Sequence, residues 1–253
     1  MPCRCGEGMS VPDLAPVLLA VFAHPDDETF RCGGTLALLA RRGVRVQVLS
    51  ATRGEAGSCG DPPLCSHEEL PGVRERELRC ACAALGIDPP LFLEYRDGDL
   101  GIVHEEEAVE QVVATIRALR PQVLLTWPPD GLSGHADHVA VSRWATLAFE
   151  QAGALGMVAP AVLYHLAVPR SVAQTLGLVQ LHAIPDEDIT LAVDVMDVWA
   201  QKMAAIRCHR TQAGGSLILE APEARQRLFL GKEHFRRAAA RDGRDLMLEL
   251  QEE

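Results

Sequence analysis

The stretch VLLAVFAHPDDE, Val17 to Glu28, joins a continuous apolar run to a crowd of ionisable groups. Val17 to Phe22 has the length and character of a strand buried on both faces, since a strand with one wet face would alternate. Pro25 has no N–H to give a sheet ladder and biases His24 away from helical geometry, so the strand stops and the chain turns. His24, Asp26, Asp27 and Glu28 are thereby crowded onto one strand-to-helix corner. Neighbouring carboxylates repel one another unless a cation sits among them. A bound divalent metal is the simplest physical reason to build such a corner; a solvated acidic turn capping the next helix is the competing account.

Outward from this corner, strands and helices alternate. Gly33, Gly34 and Thr35 open a short apolar helix that stops before Gly43. Val44 to Thr52 reads as a second strand, and the polar loop after it, Arg53 to Pro71, is long enough to point to function or flexibility. Leu78, Ala81, Cys82 and Leu85 share one helical face that ends at Gly86. Leu91 to Tyr95 reads as a third strand, followed by a helical stripe of Val109, Val112, Val113, Ile116 and Leu119. Val123 to Trp127 is a fourth strand stopped by Pro128 and Pro129, and a helix bearing Val141, Trp144, Ala145 and Ala148 comes next. Val162 to Val168, Leu178 to Ile184 and Ile189 to Val195 are strand-like, and helices are expected from near Val198, Pro222 and Glu233. Four repeats of strand then helix imply an α/β, Rossmann-like fold: a mostly parallel sheet with helices on both faces and a strand-rich C-terminal extension. Residues 1–16 carry no pattern and are expected to form a flexible leader, with Met9 as an alternative start; residues 17–253 are expected to form a single domain.

With 253 residues, 48% of them hydrophobic and 23% charged, the chain can bury a substantial core and is not disordered. A net charge of −11, with no basic run beyond pairs such as Arg41-Arg42, excludes a nucleic-acid partner. No apolar stretch reaches membrane-spanning length, and the N-terminus lacks the charged-then-apolar layout of a secretory signal, so a cytoplasmic location is expected. The eight cysteines are scattered and lack the paired CxxC hooks of a structural zinc site. They are expected to be reduced thiols, with a Cys59–Cys65 bridge left open. A homo-oligomer also stays open.

In an open parallel sheet the ligand site lies outside the carboxyl ends of the strands. The polar clusters follow that rule: His24 to Glu28 after the first strand, Arg53 and Glu55 after the second, Asp97 and Asp99 after the third, and DGLSGHADH, Asp130 to His138, after the fourth. A helix beginning near Gly134 places His135 and His138 on one face, three residues apart, and turns them inward with Asp137. Two imidazoles and a carboxylate make a facial ligand set with open positions, which suits catalytic zinc or non-haem iron better than magnesium. No GxGxxG or Walker pattern follows the first strand, and its carboxylates would repel a phosphate, so a dinucleotide site is excluded. His67, His104, His165, His182 and His234 read as ordinary core or surface histidines.

AHPDDE at 23–28, TRGE at 52–55 and HADH at 135–138 together resemble the LmbE-like, or PIG-L, zinc-dependent N-deacetylases. Arg74 to Leu78 (REREL) and KMAAIRCHRTQ at 202–212 resemble the same family. The resemblance implies a hydrolase that removes the acetyl group from an N-acetylglucosamine-type amide, on a small glycoside or thiol-precursor glycoside. It implies one Zn2+, or another divalent transition metal, per chain, held by His24, Asp27 and His138. Asp26 would be the general base, His135 a cationic donor to the oxyanion, and Asp137 the orienting partner of His135. Arg53, Glu55, Asp99 and His209 are the expected contacts to a small N-acetylated amino sugar, with Arg53 weighed against a structural ion pair with Glu55. The loop Gly54 to Pro71 is expected to set the choice of aglycone. Arg31 and Ala136 depart from the family pattern, standing where a small residue and a proline are usual. Two other readings stay open: a non-haem iron oxygenase built on the same triad, and a metal-stabilised sugar-binding module without turnover.

Overall fold

All six residues of β1 (Val17–Phe22) are buried, and Leu18 to Phe22 divide by parity between two cores. Leu18, Ala20 and Phe22 join the cluster that contains Leu36, Val46 and Leu78, whereas Leu19 and Val21 join the one with Val109, Leu124 and Trp144. Helices cover both faces of the sheet, which is why the run has no polar member.

The computed structural model describes residues 15–154, 159–214, 216 and 218–251. After β1 come α1 (Asp27–Phe30), α2 (Gly33–Arg41), β2 (Arg45–Ser50), α3 (Leu70–Leu85) and β3 (Leu91–Phe92). Next are α4 (Glu105–Leu119), β4 (Val123–Thr126), α5 (Ala136–Ala154), β5 (Val162–Ala167) and α6 (Arg170–Leu176). The chain continues through β6 (Leu191–Asp194), α7 (Trp199–Cys208), α8 (Arg210–Ala213), α9 (Glu223–Leu230) and β7 (Lys232–Ala240). The seven strands form one sheet in the order β3-β2-β1-β4-β5-β7-β6. β3, β2, β1, β4 and β5 are mutually parallel, and β7 runs antiparallel between β5 and β6. The winding reverses between β1 and β4, and at such a switch point the two flanking loops part and leave a crevice.

Three expectations are corrected here. The segment from Glu233 is the strand β7, not a helix. Its Ala and Arg residues favour helix, but the slot between β5 and β6 offers ladder partners on both sides, and tertiary context overrides propensity. Leu178 to Ile184 forms no strand; its one ladder contact is an isolated bridge from Ile184 to Pro169. The cysteines are not all thiols: Cys80 and Cys208 are joined, with Cα atoms 5.7 Å apart, where α3 packs beside α7. Cys59 and Cys65 are free. A pairing across 128 residues leaves no trace in local spacing. The expected leader lies outside the described residues except for Ala15 and Pro16. Arg31 is buried and donates to the carbonyls of Ala167 and Phe229, so its long side chain ties α1 to the C-terminal layer. Among the described residues no helix is long and apolar enough to cross a membrane.

Candidate metal centre and active site

His24 and Asp27 stand on the turn after β1, and His138 stands in the first turn of α5. His24 Nδ1 lies 3.3 Å from His138 Nε2, and Asp27 Oδ1 lies 3.5 Å from the same nitrogen. The far side of each group is tied. His138 Nδ1 is 3.2 Å from the carbonyl oxygen of Gly131, and the ring stacks on Trp127 at 4.0 Å between centroids. A carbonyl oxygen only accepts, so Nδ1 carries the proton and Nε2 turns a lone pair inward. His24 Nε2 donates to Asp137 Oδ2 at 3.1 Å and faces Asp97 Oδ1 at 3.0 Å, which leaves Nδ1 as the inward acceptor. Asp27 Oδ2 takes the N–H groups of Ala23, His24 and Trp127 and leaves Oδ1 to the interior. With one proton on each imidazole, three acceptors converge within 4.8 Å. A divalent cation satisfies all three at once, and two nitrogens with one oxygen suit zinc; the carboxylate and carbonyl behind the imidazoles are the partners that metal-bound histidines use.

Protons compete for this set. Burial opposes charge on His24, but the hydrogen bonds to Asp137 and Asp97 and the charge of Asp27 outweigh it and lift its pKa to about 10. Burial would raise Asp27, yet the adjoining His138 and His24 hold it well below the usual carboxylate range. Metal binding must then displace protons, so affinity should rise with pH.

Asp26 faces the same cleft with the opposite shift. Burial pushes its pKa up to about 6 against the pull of Arg74, and the charge of Asp27 adds to the rise. Its backbone sits at φ +113°, a conformation that favours glycine and is held here by surrounding bonds. The Asp26 N–H donates to Glu28 Oε2 at 3.0 Å, and Glu28 Oε1 meets His209 Nε2 at 2.7 Å. Arg74, buried on α3, donates to the carbonyls of Pro25 at 2.5 Å and Gly54 at 2.7 Å, and its guanidinium lies 3.4 Å from Asp26 Oδ1. A Cβ on Gly54 would fall 2.1 Å from Arg74 Nη1, and Gly54 has φ +69°, so the glycine of TRGE is what lets the guanidinium pass.

The family model described as PIG-L, GlcNAc-PI de-N-acetylase, matches residues 19–149. A 1D-myo-inositol 2-acetamido-2-deoxy-alpha-D-glucopyranoside deacetylase of Salinispora arenicola is 34% identical over 234 residues, spanning 77% of this chain and 75% of that protein. This chain belongs to the PIG-L family. Among solved structures, N,N'-diacetylchitobiose deacetylase from Pyrococcus horikoshii is similar with a TM-score of 0.69 and 20% identity, covering 88% of this chain and 84% of that one. GalB, the 4-carboxy-2-hydroxymuconate hydratase of Pseudomonas putida KT2440, reaches 0.67 and 20% identity, covering 91% and 99%. At that identity both share the fold alone, and a hydratase on the PIG-L fold means that the reaction has to be argued from the site.

The structure redistributes several residues that the PIG-L resemblance assigned. Asp137 does not orient His135: its carboxylate serves His24 and accepts the N–H groups of Gly98 at 2.7 Å and Leu100 at 3.2 Å. His135 lies exposed on the rim, with its ring stacked 4.7 Å from that of His138 and its Nδ1 accepting the Asp137 N–H. Burial and the charges of His138 and His24 push its pKa down, the direction opposite to the expected imidazolium. Arg53 pairs with Glu75 and Glu94 and not with Glu55, which instead accepts the Asp97 N–H at 3.0 Å. Arg53 and Glu55 line a shallow cavity of about 340 Å³ beside Tyr95. Asp99, expected as a substrate contact, points to Arg96 with its side chain 45% exposed, while Asp97 Oδ1 meets His24 Nε2 at the centre. His209 is 0% exposed behind the corner and has no access to a substrate.

Asp97 and Arg74 join the site without a role that their place in the sequence assigns. Nothing in the loop Arg96 to Leu100 distinguishes Asp97 from Asp99 before the backbone is placed. Arg74 did carry a signal: it is four residues before Leu78 and seven before Ala81, on the buried stripe of α3, and a cation there needs anions to meet it.

Proposed function

We propose that this protein is a zinc-dependent N-deacetylase acting on an N-acetylglucosamine-type glycoside. The observation that carries the proposal is the pairing of Asp26 with the donor set: a carboxylate whose pKa is lifted to about 6 stands beside three converging lone pairs. A binding module needs no such base next to its metal, and neither does an oxygenase.

Bound zinc would supply Lewis-acid polarisation of the amide carbonyl and a water whose pKa is lowered to roughly 7. Asp26 would take a proton from the water that attacks the amide carbon and hand it to the amide nitrogen as the C–N bond breaks, so that acetate and amine leave. Arg74 holds Asp26 in place and limits the rise of its pKa. Asp137 and Asp97 fix the tautomer of His24, and Gly131 fixes that of His138. Neutral His135 can donate a hydrogen bond to the carbonyl oxygen from the rim. The name of the Salinispora relative supports a small glycoside as substrate.

The test is a panel of N-acetylglucosaminides, with free N-acetylglucosamine and an inositol glycoside among them, assayed for acetate and primary amine. Equimolar release, lost to a chelator and restored by zinc, is the expected result. Stoichiometric zinc with no release from any member overturns the proposal, and retained iron with oxygen consumption would point to the oxygenase.

A further inference from the structure

The loop Pro128–Leu132 has two sides. On one, the Gly131 carbonyl fixes His138. The other side lines a separate cavity of about 240 Å³ beneath β5, β7 and the segment from His182 to Ile184. Apolar walls come from Pro128, Leu132 and Leu166, and polar groups come from Asp130, His165 and Arg236. The volume lies below the range that takes a drug-sized ligand and has room for one ring.

His165 is 6% exposed, and its Nε2 has no hydrogen-bond partner. A buried polar atom left unpaired carries its desolvation cost without return, so the cavity is built to receive a group that pairs with it. His165 and Arg236 are cross-strand neighbours in the β5–β7 ladder and reach the cavity together. Burial and the Arg236 charge hold His165 neutral, with a pKa of about 4, so its imidazole offers both a donor and an acceptor. Asp130 and Arg236 contribute one charge of each sign, and Asp130 also meets His182 at 3.3 Å across the mouth. A balanced set of donors and acceptors over apolar walls fits a neutral, hydroxyl-rich ring better than a phosphate or a cation.

The mouth adjoins the metal centre. The His182 N–H donates to the Leu132 carbonyl at 2.7 Å, and a Cβ on Gly134 would lie 3.5 Å from the His182 ring, one residue before His135. We infer that this cavity is the aglycone subsite, taking a neutral polyhydroxylated ring, a cyclitol or a second sugar, attached to the N-acetylated sugar at the metal centre. The inference rests on the deacetylase proposal. It puts the aglycone on the β4–β5 side of the crevice, opposite the Gly54 to Pro71 loop, whose Gly54 and Gly57 are packed against Arg74 and whose Ser58 carbonyl is bonded to Gln212.

Two measurements on the zinc-loaded protein test it. In the first, free myo-inositol and methyl glucoside are titrated by ligand-observed NMR against wild type, Arg236→Gln and Ile184→Trp; Arg236 is exposed, so its variant should fold. Binding by wild type that weakens about tenfold or more in both variants is expected. In the second, kcat/KM for an inositol glycoside divided by that for free N-acetylglucosamine should fall about tenfold in Arg236→Gln. No polyol binding by wild type, or binding unchanged in the variants, overturns the subsite whatever the hydrolysis assay gives. Polyol binding that depends on Arg236, in a wild type that hydrolyses no N-acetylated sugar, overturns the deacetylase proposal and the aglycone role with it, and leaves a polyol site.

Discussion

Two assemblies of buried charge in this chain use the same kinds of residue and end in opposite states. Between α7 and β7, the ammonium of Lys202 is 0% exposed and donates to Glu233 Oε1 at 2.7 Å and to the Leu230 carbonyl at 2.6 Å. The Glu233 carboxylate also takes the Gly34 and Thr35 N–H groups at the start of α2. Donor faces acceptor throughout, and the assembly is closed. At the corner after β1, His24 Nδ1 and Asp27 Oδ1 both look at His138 Nε2, and only added protons or a cation can join the three. Opening the first assembly strands a buried charge, whereas the second is held together only by protons or a cation taken up from outside. Burial and charge alone therefore do not mark a functional site; an unmet set of lone pairs does.

The largest expected effect breaks the open assembly. His24→Ala and His138→Ala should each lose bound zinc and all deacetylation, while the metal-free protein stays folded. Zinc analysis and circular dichroism check this, and stoichiometric zinc in both variants would remove these imidazoles from the ligand set. Next comes Asp26→Asn, which keeps the shape but cannot take a proton. It should retain zinc and lose on the order of a hundredfold to ten-thousandfold in kcat. A near-normal rate would make some group other than Asp26 the base.

The two assemblies also differ in how far the sequence disclosed them. The open one was legible because its members follow consecutive parallel strands, so each motif could be sent to the same rim by topology alone. The finer wiring was not. Whether Asp137 serves His135 or His24 depends on which way one carboxylate turns at the head of α5, and both partners lie within reach. The closed assembly is not legible, because the Ala and Arg residues after Glu233 favour a helix. Its role depends on β7 pairing antiparallel between β5 and β6, and no local pattern in Lys232 to Ala240 encodes that. The disulfide between Cys80 and Cys208 was missed for the same reason.

The closed assembly gives the third expected effect. Lys202→Met leaves the Glu233 carboxylate buried without its cation, and removing one partner of such a pair costs about 3–5 kcal/mol. Urea denaturation should show that loss, while the folded fraction keeps its zinc and its kcat. A loss below about 1 kcal/mol, in the range of a surface pair, would mean that the two helix N–H groups hold Glu233 unaided.

The smallest effect joins the two kinds of chemistry, through His209. Burial opposes charge on His209, but the Glu28 carboxylate 2.7 Å away outweighs it and holds the pKa above the usual imidazole value. His209 is therefore a cation around pH 6, and its field lowers the pKa of Asp26 while burial raises it. His209→Gln removes that field, so Asp26 should take up its proton at a higher pH, and the acid limb of kcat/KM should move upward. The displacement should be under one pH unit, less than about 1.4 kcal/mol. Bound zinc adds its own charge beside Asp26 in both proteins, so the difference between the two limbs is the quantity to read. Stability gives an independent sign. A folded pKa above the unfolded value near 6.5 stabilises the protein fully below that value, and this contribution is lost as pH rises through the folded pKa. The stability gap between wild type and His209→Gln should accordingly be widest in acid and narrow on the alkaline side. An acid limb that stays in place while that gap appears would confine His209 to holding the corner together.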